Sequence, residues 1–568
     1  MEPRVEGAMP RARVLLWPTA WAAVLAVLLL GGALGPGYVL SYDMVWVPDL
    51  ALTRDVLGLG SALPRAVPSD AVVAALDEVL GGAVLQKVVL AGTLMAAGTG
   101  FAALVRHRTT TAQLVAVSVG MWNPFVVERL LLGHWPLLIG YAVMPWLVVA
   151  LHDIETGRAR LPARVPLLVV LGSLSASAGL ATALVAFAVT GRRLGRRGSA
   201  LLAACVVGAN APWIVAGLVS PATSASDPLG AVVFATSDEG LMAGPVAALS
   251  VGGVWNAEVV PGSRLGLAGL AFTLLLVCAA VTGAVLVARG EREPRLRGLF
   301  TCWCVGWGLA VVSWAAPGAI GWLGDNVPAG GLFRDGSRLL GLTVPLVVVL
   351  VAVAVDGLVR LPERGAVVVV GGVLALLPVS LMPDAAWGAG GRLDAVHYPA
   401  AYDDARSAVA GAPPGDAVSL PFVSYRAPAW NGGRRVLDPL PRYLDRPTVV
   451  NDELVVSGRA LAGEDPASAA VARALREPTP AERSAALRRV GVSVVVAEQI
   501  EGYQVPVVEG RRVLAGGLSV TTLGAAPART VSGGRWAAVL LAWGAWLSVL
   551  LVSLASRVRR GRATVTRQ

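Results

Sequence analysis

The chain has 568 residues, of which 55 % are hydrophobic and only 15 % charged, with a mean hydropathy of +0.67. Soluble domains carry about a quarter charged residues, so an aqueous fold is excluded for most of this sequence, and a bilayer suits it. The net charge of +10 does not point to nucleic acid: residues 383–534 hold 16 arginines and 16 acidic residues, and the surplus lies in short segments beside apolar runs, where Arg acts as a topology signal.

Apolar runs fall at about 12–34, 83–105, 111–123, 136–151, 199–218, 265–288, 299–316, 338–358, 366–382 and 536–556. At about 20 residues per span they predict ten helical crossings. Trp17, Trp122, Trp135, Trp146, Trp255, Trp322 and Trp536 stand where apolar sequence meets polar, as interfacial anchors do. The first run follows Arg4, Arg11 and Arg13 and lacks a small-residue cleavage site, so it reads as a retained signal anchor. An eleventh stretch, 165–190, is centred on Ser173-Leu174-Ser175-Ala176-Ser177-Ala178-Gly179. If it enters and returns, every Arg cluster falls on the cytoplasmic side. The expectation is therefore ten to twelve crossings with both termini cytoplasmic, in a multi-span membrane domain 1–382.

On this topology the segments 35–82, 219–264, 317–337 and 383–535 lie outside, and 536–568 is a final span with a basic cytoplasmic tail. The 383–535 region mixes β-like runs (Ala417–Phe422, Ser493–Ala497, Gln504–Val508, Leu518–Leu523) with helical stretches (Tyr402–Ala410, Pro466–Arg476, Pro480–Arg489). A helix, then Gly491, then an apolar strand predicts an extracytoplasmic α/β domain. Cys205, Cys278, Cys302 and Cys304 all fall in predicted spans, so no disulfide framework and no cysteine metal site is expected.

Polar clusters gather on the outer face. The first loop carries Ser41-Tyr42-Asp43-Met44-Val45-Trp46-Val47-Pro48-Asp49, whose carboxylates are candidates to deprotonate a sugar hydroxyl, or are ordinary solvated acids. In Trp122-Asn123-Pro124 the proline ends the third span, and Glu128, Arg129 and His134 follow at the boundary, where charges pair with one another or face a cavity. Arg334 and Arg338 of Phe333-Arg334-Asp335-Gly336-Ser337-Arg338 would face one anion if the segment is helical. Their forks suit phosphate oxygens, whether of a substrate or of membrane lipid. Trp255 and Asn256 add an aromatic and an amide, and Tyr425-Arg426, Trp430-Asn431 and Arg434-Arg435 form a polar-aromatic stretch that suits carbohydrate or loop packing alike. No phosphate-binding loop or dinucleotide motif is present.

The acidic first loop, the Asn123-Pro124…Glu128-Arg129…Gly133-His134 stretch and Phe333-Arg334-Asp335…Arg338 resemble actinobacterial membrane proteins related to the C-type (GT-C) glycosyltransferase superfold, which includes arabinofuranosyl- and mannosyltransferases. The resemblance covers about residues 12–382 in patches. It implies a sugar transferred from a polyprenyl-phosphate donor to a cell-envelope glycan or lipid acceptor on the outer face of the plasma membrane. Asp43 would be the base, Asp49 would support it or hold a divalent cation, and Arg334 and Arg338 would neutralise the donor phosphate. The two acids are six residues apart here, whereas many members carry adjacent acids. Two other readings use the same residues: a transporter or flippase of lipid-linked saccharides, and a non-catalytic scaffold for envelope assembly.

Overall fold

The computed structural model describes residues 15–565 except 153, 155–160, 191–193, 223–225, 291, 292, 294, 360–363, 457 and 515. Arg4, Arg11 and Arg13 lie outside the described residues. Among the described residues nine helices are long and apolar enough to cross a bilayer, or ten if the bent pair Val369–Leu381 and Pro383–Gly391 counts as one span. The protein is embedded in a membrane through these helices. They differ in depth: the Thr110–Leu131 stretch is 94 % buried inside the protein and Leu267–Ala288 only 17 %. Apolar helices with so little protein cover are solvated by lipid tails, and Thr110–Leu131 forms the centre of the bundle.

The 165–190 stretch is two helices, Arg164–Leu171 and Ala176–Thr190, separated by a break at Gly172–Ser175. The break is held by side chains: Ser173 donates to the Val169 carbonyl at 2.8 Å, and Thr182 to the Gly172 carbonyl at 2.8 Å. Backbone interrupted at this depth must find such partners. Asn123 and Pro124 also interrupt a helix as expected. Thr110–Met121 stops, the Asn123 side chain accepts from the Val126 amide at 3.0 Å, and Pro124 opens a new helix, Pro124–Leu131. Cap and proline here do what they do at any helix start.

The condition set for Arg334 and Arg338 is not met. The Phe333–Arg338 segment is not α-helical: Asp335 is extended (φ −91°, ψ 94°) and a 3-10 helix, Gly336–Thr343, precedes the α-helix Val344–Val359. Arg334 and Arg338 are thus not neighbours by helical spacing.

Among the described residues the C-terminal sheet domain has nine strands: β1 (Asp416–Leu420), β2 (Tyr425–Arg426), β3 (Val436–Leu437), β4 (Thr448–Val449), β5 (Leu454–Val456), β6 (Arg459–Leu461), β7 (Val492–Glu498), β8 (Arg511–Leu514) and β9 (Leu518–Thr522). Five form one sheet in the order β4-β1-β7-β9-β8, with β1 parallel to β4 and β7, and β9 antiparallel to β7 and β8. The helices Ala401–Ala410, Pro466–Ala474 and Pro480–Arg489 match the expected ones, and the last begins with a capping box from Thr479 and Glu482. Gln504–Val508 is not a strand. Pro506 has no N–H to give a ladder, and the edge strand forms at Arg511–Leu514 instead.

This domain docks on the long loop after the first membrane helix through Arg54–Asp416 (2.8 Å), Arg65–Glu464 (2.7 Å), Arg406–Asp49 (2.6 Å) and Arg442–Asp70 (2.9 Å). The polar clusters named above lie at this end of the bundle, called here the domain end.

Candidate active site

The site starts from the end of one short helix. After Leu131 the chain turns through Gly133, whose φ of +77° only glycine adopts without cost. A Cβ there would stand 2.1 Å from the Met44 nitrogen, so the glycine also lets the first loop lie directly across the helix end. Ser41 Oγ donates to the Leu131 carbonyl at 2.6 Å and the Asp43 amide to the Leu132 carbonyl at 3.1 Å. The loop satisfies carbonyls that the helix leaves open, and in doing so it sets Asp43 beside His134.

Side chains then form one line. His134 Nε2 donates to Asp43 Oδ2 at 3.2 Å, and His134 Nδ1 faces an Arg129 guanidinium nitrogen at 3.3 Å. A guanidinium only donates, so Nδ1 is the acceptor and the imidazole is neutral with its proton on Nε2. Burial and the charges of Arg338 and Arg129 agree, lowering the His134 pKa against the pull of Asp43. Arg129 continues to Asp335 (3.0 and 3.4 Å) and to Ser337 Oγ (2.7 Å). Arg338 reaches Asp335 at 3.3 Å. Burial opposes ionisation of Asp335, yet Arg129 and Arg338 carry its carboxyl far below the usual range.

Asp43 is different from its neighbours in access. Its side chain keeps 43 % of its surface, whereas those of Arg129 and Asp335 keep 1 % and 2 %. Burial would raise its pKa, but the hydrogen bond from His134, the charge His134 gains in acid, the Tyr425 hydroxyl and the charge of Arg338 lower it to about 2. At neutral pH it is a carboxylate.

Three further guanidiniums reach solvent nearby: Arg338 (31 % exposed), Arg334 (23 %) and Arg65 (48 %). Arg334 lies 5.0 Å over the Phe234 ring and 3.9 Å from Glu464. Burial and the nearby Arg65 and Arg338 lower its pKa to about 10, so it remains a cation. With Arg129 there are four arginines against Asp43, Asp335 and Glu464. The local charge is positive, and the groups that carry it are those a soluble or lipid-borne anion meets first.

Of the other expected residues Glu128 and Asp49 sit elsewhere, while Trp255 and Asn256 border the site through Phe234 and Tyr42. Glu128 and Arg129 are consecutive on a helix, about 100° apart around its axis, so they serve different sites. Glu128 is buried against Glu239 and Arg264. Arg264 donates to Glu239 at 3.0 and 2.7 Å, and Gly252 packs on that carboxylate so closely that a Cβ would be 2.5 Å from it. Asp49 pairs with Arg406, which also holds Asp445. Trp255 meets Phe234 edge-on at 4.7 Å, and Asn256 caps the turn to Glu258 at 3.0 Å. Glu258 in turn accepts from the Tyr42 hydroxyl. Among the described residues no three His, Cys, Asp or Glu side chains converge as a metal-binding set. Arg65 and Glu464 carry no local sequence signal for this site, and Tyr425, though part of the polar-aromatic stretch, carries none for its pairing with Asp43. All three come to it through contacts between distant parts of the chain.

The helical membrane bundle with its small sheet domain has the fold of the C-type (GT-C) glycosyltransferases. Within that class the similar solved structures are of the arabinofuranosyltransferase AftD from Mycobacteria. One, determined by single-particle cryo-EM, superposes with a TM-score of 0.58 at 18 % identity, covering 91 % of this chain and 40 % of that one. A structure of a mutant of the same enzyme gives 0.55 at 17 %, covering 91 % and 42 %. The chain spans about two fifths of the length of the solved structures it matches. At this identity the likeness shows the fold alone. No protein-family model matches the chain and no curated protein matches its sequence.

Proposed function

We propose that this protein is a membrane glycosyltransferase that moves a sugar from a polyprenyl-phosphate donor to a glycan or lipid of the cell envelope, with the domain end on the outer face of the plasma membrane. The observation that carries the reading is an accessible carboxylate, Asp43, under the charge of Arg338, with the partly exposed Arg334 and Arg65 acting on its partner Tyr425. A lipid-phosphate donor brings its own leaving group, so the enzyme needs an acceptor-activating carboxylate and cations for the departing phosphate.

In this reading the acceptor hydroxyl hydrogen-bonds to Asp43, and its oxygen attacks the anomeric carbon as the bond to phosphate breaks. The proton passes to the carboxylate and the negative charge of the leaving phosphate stays under the arginines. A carboxylate held at about 2 is a weak base. That suits glycosyl transfer, whose transition state is oxocarbenium-like: the acceptor oxygen becomes acidic as it bonds, and a weak base takes the proton late. Arg129 and Asp335 are buried behind His134 and fix it, so their part is to orient.

The test is transfer of radiolabelled sugar by the purified protein from a panel of decaprenyl-phosphate donors to envelope glycan acceptors, with Asp43→Ala beside it. Transfer present in the wild type and lost in the variant supports both the activity and the base. No transfer from any donor would favour the flippase or scaffold readings.

A further inference from the structure

The sheet domain reaches Asp43 itself. Its β2–β3 hairpin pairs Tyr425 with Leu437 and Arg426 with Val436. Neighbouring residues of a strand face opposite sides. Arg426 points into the domain, fully buried, where it meets Asp438 at 2.9 Å and Glu498 at 3.2 Å. Tyr425 therefore points out, towards the membrane helices.

The first loop is stitched to the other side of this hairpin. The Tyr42 amide donates to the Arg435 carbonyl at 2.9 Å, and the Leu437 amide donates to the Tyr42 carbonyl at 2.8 Å, so Tyr42 bridges Val436 in parallel register. Asp43 is the next residue. Two backbone bonds thus fix the carboxylate opposite the phenol, and the Tyr425 hydroxyl donates to Asp43 Oδ1 while His134 donates to Oδ2.

We propose that Tyr425 is a positioning residue for Asp43, so that the sheet domain supplies part of the transfer site. This rests on the transferase reading. His134 holds one carboxylate oxygen and is itself locked by Arg129; Tyr425 holds the other and fixes the rotation of the carboxylate plane. Without it Oδ1 turns away from the acceptor.

The test uses the full-length protein with Tyr425→Phe, and Tyr443→Phe as its control. Tyr443 donates to Asp403 at 2.6 Å within the sheet domain, so the control removes a phenol–carboxylate bond of the same kind away from Asp43. Two readouts are taken. In steady-state transfer, Tyr425→Phe should lower kcat about ten- to hundredfold, the range of one hydrogen bond to a charged group, with acceptor KM changed less than threefold and Tyr443→Phe near wild type.

In the second readout, carbodiimide labelling of Asp43 is followed by peptide mass spectrometry against pH. The groups facing Asp43 are His134, Tyr425 and Arg338, with Arg442 farther off. Loss of one donor should move the labelling midpoint up by about one pH unit.

An unchanged midpoint overturns the contact. A shifted midpoint overturns the positioning role if kcat stays within twofold of wild type, if acceptor KM alone rises, or if Tyr443→Phe loses as much activity. Absence of transfer in the wild type defeats the transferase reading and with it the positioning role, while the labelling still decides the contact.

Discussion

Replacing Asp335 with Asn keeps the shape of the side chain and removes its charge. Asp335 is 2 % exposed and accepts from Arg129 twice, from Ser337 at 2.8 Å and from Arg338 at 3.3 Å. Arg129, 1 % exposed, would keep only Ser337 and His134. Breaking a buried pair by removing one partner costs about 3–5 kcal/mol, because a charge is left buried and uncompensated. The amide oxygen still accepts one bond, so the lower end, about 3 kcal/mol, is expected; Arg338 is partly solvated and adds little.

The assay is unfolding in mixed micelles titrated with SDS, followed by tryptophan fluorescence. The folded pKa of Asp335 lies below its ordinary 3.8, so its stabilisation is present above that value and is lost as pH falls through the folded value. The gap between wild type and variant should therefore stay constant from pH 5 to 8, a window set by about one unit of margin above the free carboxyl. The double variant Arg129→Met with Asp335→Leu should recover much of the loss, since an apolar replacement of a buried pair is often neutral or stabilising. A loss under about 1 kcal/mol for Asp335→Asn, the scale of a surface pair, would refute the reasoning.

Other outcomes follow from the same contacts. On the transferase reading, in which Arg338 meets the donor phosphate, Arg338→Leu should raise donor KM about tenfold or more, while SDS unfolding barely moves because Arg129 still holds Asp335. Asp49→Ala should keep transfer within about twofold, the span of an exposed ion pair, since Arg406 retains Asp445; a collapse would place Asp49 in the chemistry. His134, with a pKa lowered from 6.5, should stabilise the fold above pH 6.5 and lose that contribution as pH falls through its folded value. His134→Gln should flatten that part of the stability profile measured by SDS titration.

The membrane class and the helix breaks are legible in the sequence because they depend on local composition: Asn123-Pro124 must stop a helix wherever it occurs, and apolar length must span or hide. The strands Asp416–Leu420, Val492–Glu498 and Leu518–Thr522 are legible for the same reason, and Gln504–Val508 reads wrongly because its apolar pattern outweighs the missing N–H of Pro506. Spacing misleads at Arg334 and Arg338, where Asp335-Gly336 breaks the helix that would align them. It also joins Glu128 to Arg129, which a helix turns apart. Asp43, His134 and Arg338 stand out as polar groups at the edges of apolar runs, but what fixes their contact is Gly133 meeting Met44, a close approach between segments some 90 residues apart. Tyr425 is 382 residues from Asp43, and no periodicity reports on such a pairing.

The sheet domain leaves one membrane helix at Leu381 and re-enters another at Gly533. It is leashed at both ends. Its ion pairs to the first loop are partly exposed and individually weak, but each re-forms within the same molecule, at an effective concentration set by two short tethers. High salt would then loosen the pairs without dispersing the parts, because the backbone bonds between Tyr42 and the hairpin remain.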